Sequence, residues 1–134
     1  MPPCLAPAVE VLPDATAVAR RAAALLAEAL WDPQGAATGL ATGRTMEPVY
    51  AALCDRLRGD ARFDPQRWCS VNLDEYVGLP PQDPRTFRAY MERHLGGPLG
   101  LQPQALQLPD GAAADPALEA SRYGEAVQIG RAHV

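Results

Sequence analysis

Between Trp68 and Leu79 the chain passes from an alternating segment straight into an acidic pair and then into a loop. Cys69, Val71 and Leu73 alternate with Trp68, Ser70 and Asn72, which is the two-residue period of a β-strand with two unlike faces. Asp74 and Glu75 follow at once, and Gly78-Leu79-Pro80-Pro81 breaks the chain. A strand that delivers carboxylates to its own end suits an open α/β sheet, because ligands there bind outside the carboxyl ends of the strands. A carboxylate placed there is on this ground a catalytic candidate, set against a plain reading of Asp74 and Glu75 as solvated loop charges.

A second segment has the same logic. Gly39-Leu40-Ala41-Thr42-Gly43-Arg44-Thr45-Met46-Glu47-Pro48 follows a short apolar run and opens an amphipathic helix with Val49, Leu53 and Leu57 on one side. Thr45 is the expected N-cap, and Pro48 sits in the first turn, where its missing N–H costs little. Small residues at Thr42 and Gly43 let backbone amides approach an anion at the helix N-terminus, where the dipole also favours negative charge. Arg44 either adds a cation beside that anion or points to solvent. Glu47 favours the dipole but repels a bound phosphate if it leans inward.

Around these segments the pattern is that of alternating helices and strands. Asp14 or Thr16 caps a helix running to about Trp31, with Val18, Ala22, Leu25, Leu26, Ala29 and Leu30 at helical spacing, ended by Asp32-Pro33-Gln34-Gly35. Residues 36–41 read as a short buried strand, 58–66 as a loop, and the whole as a βαβ-like unit. Phe87, Tyr90, Met91, His94 and Leu95 form one face of a further helix, stopped by Gly96-Gly97-Pro98. His94 reads as a flank residue of that helix, since nothing beside it offers a metal partner. The proline-rich stretches 80–84 and 97–109 read as loops, and Asp115-Pro116 as the cap and first turn of a last helix.

Composition narrows the partners. A net charge of −4, with twelve scattered basic residues, offers no stripe to meet nucleic-acid phosphates. Cys4, Cys54 and Cys69 are odd in number and lack paired spacing, so they read as reduced thiols, with neither a disulfide framework nor a metal site. The amino terminus has no charged leader and no apolar run reaches spanning length, so the expectation is a cytoplasmic protein without membrane contact.

Together, GLATGRTMEPVY and NLDEYVGL resemble the phosphate loop and the catalytic strand end of the glucosamine/galactosamine-6-phosphate isomerase family, which contains glucosamine-6-phosphate deaminase. The resemblance continues through Pro84-Arg85-Thr86-Phe87-Arg88-Ala89-Tyr90-Met91 and, more weakly, through Leu106 to Gly111 and the helix of Tyr123. It implies an α/β fold, the amino-terminal half of an open, mostly parallel Rossmann-like sheet flanked by helices. It also implies an aminosugar phosphate as substrate, Asp74 as base, and Thr42, Gly43, Arg44 and Thr45 as phosphate contacts. Glu75 and Tyr76 then position Asp74 and close the site. No metal or organic cofactor is implied, and the full-length enzyme is expected to form homo-oligomers. Arg44 and Met46 stand where the family has Ser or Gly and Pro, and Thr86-Phe87 where it has Ser-Tyr.

The resemblance runs from about Ala15 to about Gln128, so residues 1–128 read as a partial domain, and it stops before the family's Asp-Gly-His-type motif, which opens the sugar ring. Residues 129–134, Ile-Gly-Arg-Ala-His-Val, match the in-frame translation of a common sequencing adapter and are expected to be a non-native tail, so His133 is no catalytic candidate. A truncated α/β sheet exposes a strand edge and an apolar face, so an inactive, aggregation-prone fragment is expected. Two other readings stay open: a 6-phosphogluconolactonase-like hydrolase, whose acidic motif reads Asp-Glu-Arg where this chain has Tyr76, and a non-catalytic sugar-phosphate-binding fragment.

Overall fold

The computed structural model describes residues 8–31 and 37–132. Its centre is a parallel sheet of three short strands, β1 (Thr38–Gly39), β2 (Ser70–Val71) and β3 (Leu106–Gln107), in the order β1-β2-β3. Thr38 pairs with Ser70 and Gly39 with Val71, and Ser70 in turn pairs with Leu106 and Val71 with Gln107. Flanking amides lengthen the ladder: Thr38 N donates to Cys69 O (3.1 Å), Leu40 N to Val71 O (2.9 Å) and Asn72 N to Gln107 O (2.9 Å). The expected strand at residues 36–41 is therefore present but short. The expected helix end at Asp32 to Gly35 lies outside the described residues.

Helix α1 (Ala15–Leu30) is capped by Asp14, whose Oδ1 accepts from Ala17 N at 2.8 Å. Its buried ridge is Ala19, Ala23 and Ala27, while Val18 and Leu25 are 51% and 48% exposed and Leu26 and Leu30 are partly buried. The large residues of the expected apolar face thus flank the contact with α2 (Glu47–Arg58), and alanines fill it. A methyl-sized ridge lets two backbones approach closely, and hydrophobicity alone does not reveal that choice. The α2 face carries Val49, Leu53 and Leu57 as expected, with Tyr50 and Cys54 beside them.

The crossover from β2 to β3 departs from expectation. Helix α3 (Phe87–Met91) does not stop at Gly96-Gly97-Pro98. It continues through a π-helical turn (Glu92–Gly96) into α4 (Gly97–Leu99) and closes at Gly100, whose φ is 66°. Pro98 lies in the first turn of α4, where a missing N–H is tolerated. The segment 97–109, expected as loop, also holds β3. With two paired residues between Pro103 and Pro109, β3 is too short to show a period, although Leu106 and Leu108 are both buried.

The core lies between the sheet and the first four helices. Leu40, Tyr50, Leu53, Leu57, Trp68, Met91, Leu95, Leu99, Leu106 and Leu108 belong to one buried cluster. Helix α5 (Pro116–Ala132) adds nothing to that cluster among the described residues. Asp115 Oδ1 accepts from Ala117 N and Leu118 N (both 3.1 Å), as its capping position predicts. Tyr123 is its buried anchor: the hydroxyl donates to Asn72 O (2.7 Å), with Gln107 O at 2.9 Å. Near it Leu73, Val77 and Leu118 are 79%, 66% and 67% exposed, so this side is sparsely covered. The backbone of α5 runs to Ala132, across the Gln128–Ile129 boundary; His133 and Val134 lie outside the described residues.

Ala27 is fully buried on the α1 ridge. Ala27→Leu is expected to cost about 1–3 kcal/mol by overpacking, read as a lower urea midpoint with an unchanged m-value. Val18→Ala, on the exposed flank, is expected to shift it by less than about 0.5 kcal/mol.

Candidate functional site

Parallel pairing puts the two motifs side by side. Gly39 and Val71 are register partners, so Thr42 and Asp74 each stand three residues beyond the same pair. Both loops leave the carboxyl edge of the sheet on adjacent strands, whose spacing in such a ladder is about 4.8 Å. The loop after β3 leaves the same edge.

The loop after β1 is built to present amides. Gly43 has φ = 114°, a conformation that L side chains resist. Met46 N donates to Gly43 O (3.1 Å) and Glu47 N to Arg44 O (3.3 Å), which makes a tight turn before α2. Thr45 lies inside that turn and is not the cap; Met46 holds the cap position and makes no side-chain capping bond. The helix starts one residue later than the sequence pattern suggests, with Glu47 and Pro48 in its first turn. Among the described residues, the amides of Thr42, Gly43, Arg44 and Thr45 donate to no protein acceptor. Arg44 is exposed and forms no ion pair there.

Two tyrosines hold the carbonyls of this loop. Tyr50 OH donates to Ala41 O and accepts from Ala41 N (3.2 Å). Tyr90 OH, from α3, donates to Gly43 O at 2.6 Å. Burial pushes the Tyr50 hydroxyl up to about 12, and burial followed by the nearby Glu47 charge raises Tyr90, so both stay protonated donors at neutral pH. Glu47 faces His94, with Oε1 3.8 Å from Nε2, and the His94 ring packs on Tyr90 with centroids 4.3 Å apart. His94 is accordingly a packing residue of the α3 flank.

At the end of β2 the acidic pair divides its work. Glu75 Oε1 accepts from Phe87 N (2.8 Å) and from Tyr76 N (2.9 Å), and Oε2 accepts from Arg88 N (3.0 Å). Thr86 caps the same helix, its Oγ1 accepting from Ala89 N (3.1 Å) and donating to Asp83 O (2.9 Å). The first amides of α3 are thus satisfied by one carboxylate and one hydroxyl. Tyr76 stacks on Phe87, centroids 4.5 Å apart. Asp74 is exposed, makes no hydrogen bond or ion pair among the described residues, and lines an apolar cleft with Leu73, Val77, Pro109, Tyr123 and Val127.

No family model matches the chain. Individual relatives do. Over 119 residues it is 38% identical to glucosamine-6-phosphate deaminase of Streptomyces coelicolor, an alignment that covers 89% of this chain and 45% of that protein. The chain is a homologue of the glucosamine-6-phosphate deaminases. The enzyme of that name from Lysinibacillus sphaericus is 43% identical over 90 residues, 67% of this chain and 38% of the relative. A solved monomeric glucosamine-6-phosphate deaminase, described as a missing link of the NagB superfamily, superposes with a TM-score of 0.80 at 31% identity. That match covers 88% of this chain and 48% of the other. The fold is therefore the Rossmann-like α/β fold of that superfamily, and the chain spans less than half the length of the curated deaminases it matches.

Against this deaminase frame, Thr42, Gly43, Arg44 and Thr45 share one turn, and Asp74 stands on the adjoining strand end. Glu75 and Tyr76 are turned to α3. Sequence reasoning missed Tyr90, Thr86 and Gly111. Thr86 had a legible signal as a Thr immediately before a helical face. Gly111 had none: Gly78 N donates to Gly111 O (3.0 Å), and a Cβ on Gly111 would overlap the Tyr76 carbonyl oxygen. Asn72 was also passed over; its carboxamide is buried with neither polar atom partnered among the described residues. Among the described residues no group of three His, Cys, Asp or Glu is placed to hold a metal ion, and no helix is long and apolar enough to cross a membrane. Cys54 and Cys69 are free thiols, and Cys4 lies outside the described residues.

Glu75→Ala is expected to destabilise the fold by about 1–3 kcal/mol, because it strips the acceptors from the Phe87 and Arg88 amides, with Glu75→Gln milder. Gly111→Ala is expected to displace the Tyr76 backbone, visible as chemical-shift changes concentrated in residues 74–78. An unchanged spectrum there contradicts the close approach.

Proposed function

We propose that this chain carries the phosphate loop and the proton-abstracting carboxylate of a glucosamine-6-phosphate deaminase. The reaction converts glucosamine 6-phosphate and water into fructose 6-phosphate and ammonia. The observation that carries the reading is the adjacency of Thr42 and Asp74, each three residues past one register pair. Its support from relatives is the 38% identity over 119 residues.

In this reading the amides of Thr42 to Thr45, the Thr45 hydroxyl and Arg44 receive the phosphate, whose binding energy orients the reacting end of the sugar. Asp74 takes the proton from C2 of the open-chain aminosugar, which the neighbouring aldehyde and ammonium acidify. It returns that proton to C1 through an enolamine, and water hydrolyses the resulting C2 imine, releasing ammonia. Glu75 and Tyr76 hold the loop that carries Asp74. The chemistry needs no resident metal or organic cofactor. The reading also carries a cytoplasmic, homo-oligomeric full-length enzyme and a role in aminosugar catabolism.

The 134 residues contain no Asp-Gly-His sequence, so ring opening is assigned to residues outside them and the chain alone is proposed to bind without turnover. Calorimetry with glucosamine 6-phosphate, glucosamine and inorganic phosphate tests this. The expected result is binding that requires the phosphate, no ammonia release, and at least about tenfold weaker binding by Gly43→Ala, whose side chain opposes φ = 114°. Equal affinity for glucosamine and its 6-phosphate would overturn the phosphate assignment, and ammonia release by the chain alone would overturn the division of labour.

A further inference from the structure

The phosphate loop and the Asp74 loop are joined by a connection that runs through α3. At one end of α3 the Glu75 carboxylate holds the amides of Phe87 and Arg88 (2.8 and 3.0 Å). One turn later on the same helix, the Tyr90 hydroxyl donates to Gly43 O at 2.6 Å. The distal end of the helix is fixed by Met91 and Leu95, both fully buried in the core. Tyr90 is itself held: its ring stacks on His94 and meets the edge of Tyr50, centroids 6.4 Å apart, and Tyr50 pins Ala41 two residues before Gly43. An acceptor carbonyl fixed at Gly43 sets the plane of the Gly43–Arg44 peptide and hence the direction of the Arg44 amide. That amide is among those with no acceptor among the described residues.

We infer that α3 is a brace and that Tyr90 is a positioning residue, whose hydroxyl aims the anion-binding amides and couples their geometry to the strand end bearing Asp74. This rests on the reading of the Thr42–Thr45 turn as a phosphate site. Nothing in the phosphate-loop sequence announces Tyr90, which lies 47 residues away from Gly43 in the chain. The coupling is reciprocal: a phosphate that orders the turn also orders α3 and, through Glu75, the Asp74 loop.

Tyr90→Phe removes the hydroxyl and keeps the ring. Amide hydrogen exchange and glucosamine 6-phosphate affinity are compared in the full chain with and without this change. The brace predicts exchange about fivefold faster or more at Met46 and Glu47, whose amides close the turn on Gly43 O and Arg44 O, no acceleration in α1, and affinity for the sugar phosphate weaker by a similar factor. It also predicts that glucosamine 6-phosphate slows exchange at Tyr76 and Phe87 in the unmodified chain and loses that effect in Tyr90→Phe. Unchanged exchange at Met46 and Glu47 overturns the brace, and so does an equal acceleration across all helices, which marks general destabilisation. If the unmodified chain binds neither inorganic phosphate nor glucosamine 6-phosphate, the phosphate assignment and the positioning role fall together, while the exchange comparison still decides whether the hydroxyl orders the turn.

Discussion

The pairing of β2 with a neighbour on each side governs the arrangement. Two residues of pairing on each flank, extended by the amides of Thr38, Leu40 and Asn72, send three loops from one edge of the sheet. A slip of one residue in β1 would turn the side chains of that strand to the opposite face and carry the turn at Gly43 out of step with Asp74. Both paired residues of β2, Ser70 and Val71, are buried, and the two faces diverge only beyond them, where Asn72 is buried and Leu73 is largely exposed. Trp68 even brings its own partner, its indole N–H donating to Ser70 Oγ at 2.9 Å inside the core.

Around that edge, polar groups are used with clear division. Glu75, Thr86, Tyr50 and Tyr90 all spend their hydrogen bonds on backbone atoms of loops and helix ends. Each such bond is worth about 1 kcal/mol net, but leaving its partner unsatisfied costs more, so these bonds fix geometry more than they add stability. Asp74 and the amides of Thr42 to Thr45 stand apart as groups without protein partners among the described residues. In the interior, the Asn72 carboxamide and the Trp31 indole N–H are buried without a hydrogen-bond partner among the described residues.

Much of this was legible in the chain itself. The alternation from Trp68 to Leu73 and the acidic pair after it gave the central strand and the place of Asp74, and the small-residue turn at Thr42-Gly43 gave the loop on the next strand. What escaped has a physical reason in each case. The α1 contact is made by Ala19, Ala23 and Ala27 because close approach favours small residues, whereas pattern reading weights large ones. Thr45 looked like a cap, yet Glu47 and Pro48 begin the helix and leave Thr45 in the turn. Helix α3 passes through Gly96-Gly97-Pro98 because a π-helical turn lets Pro98 fall in a first turn. Tyr90 and Gly111 act on segments far from them in sequence, and no local pattern encodes such a contact.

The central claim is that one edge of this sheet holds a phosphate and a sugar's reacting carbon at the same time. Backbone chemical shifts of the labelled chain titrated with glucosamine 6-phosphate test it most directly. The account predicts saturable changes at Gly43, Arg44 and Thr45 together with Leu73, Asp74 and Glu75, and predicts that inorganic phosphate moves the first group more than the second. Changes confined to the opposite end of the fold, around Trp31, Arg62 and Arg67, would contradict it.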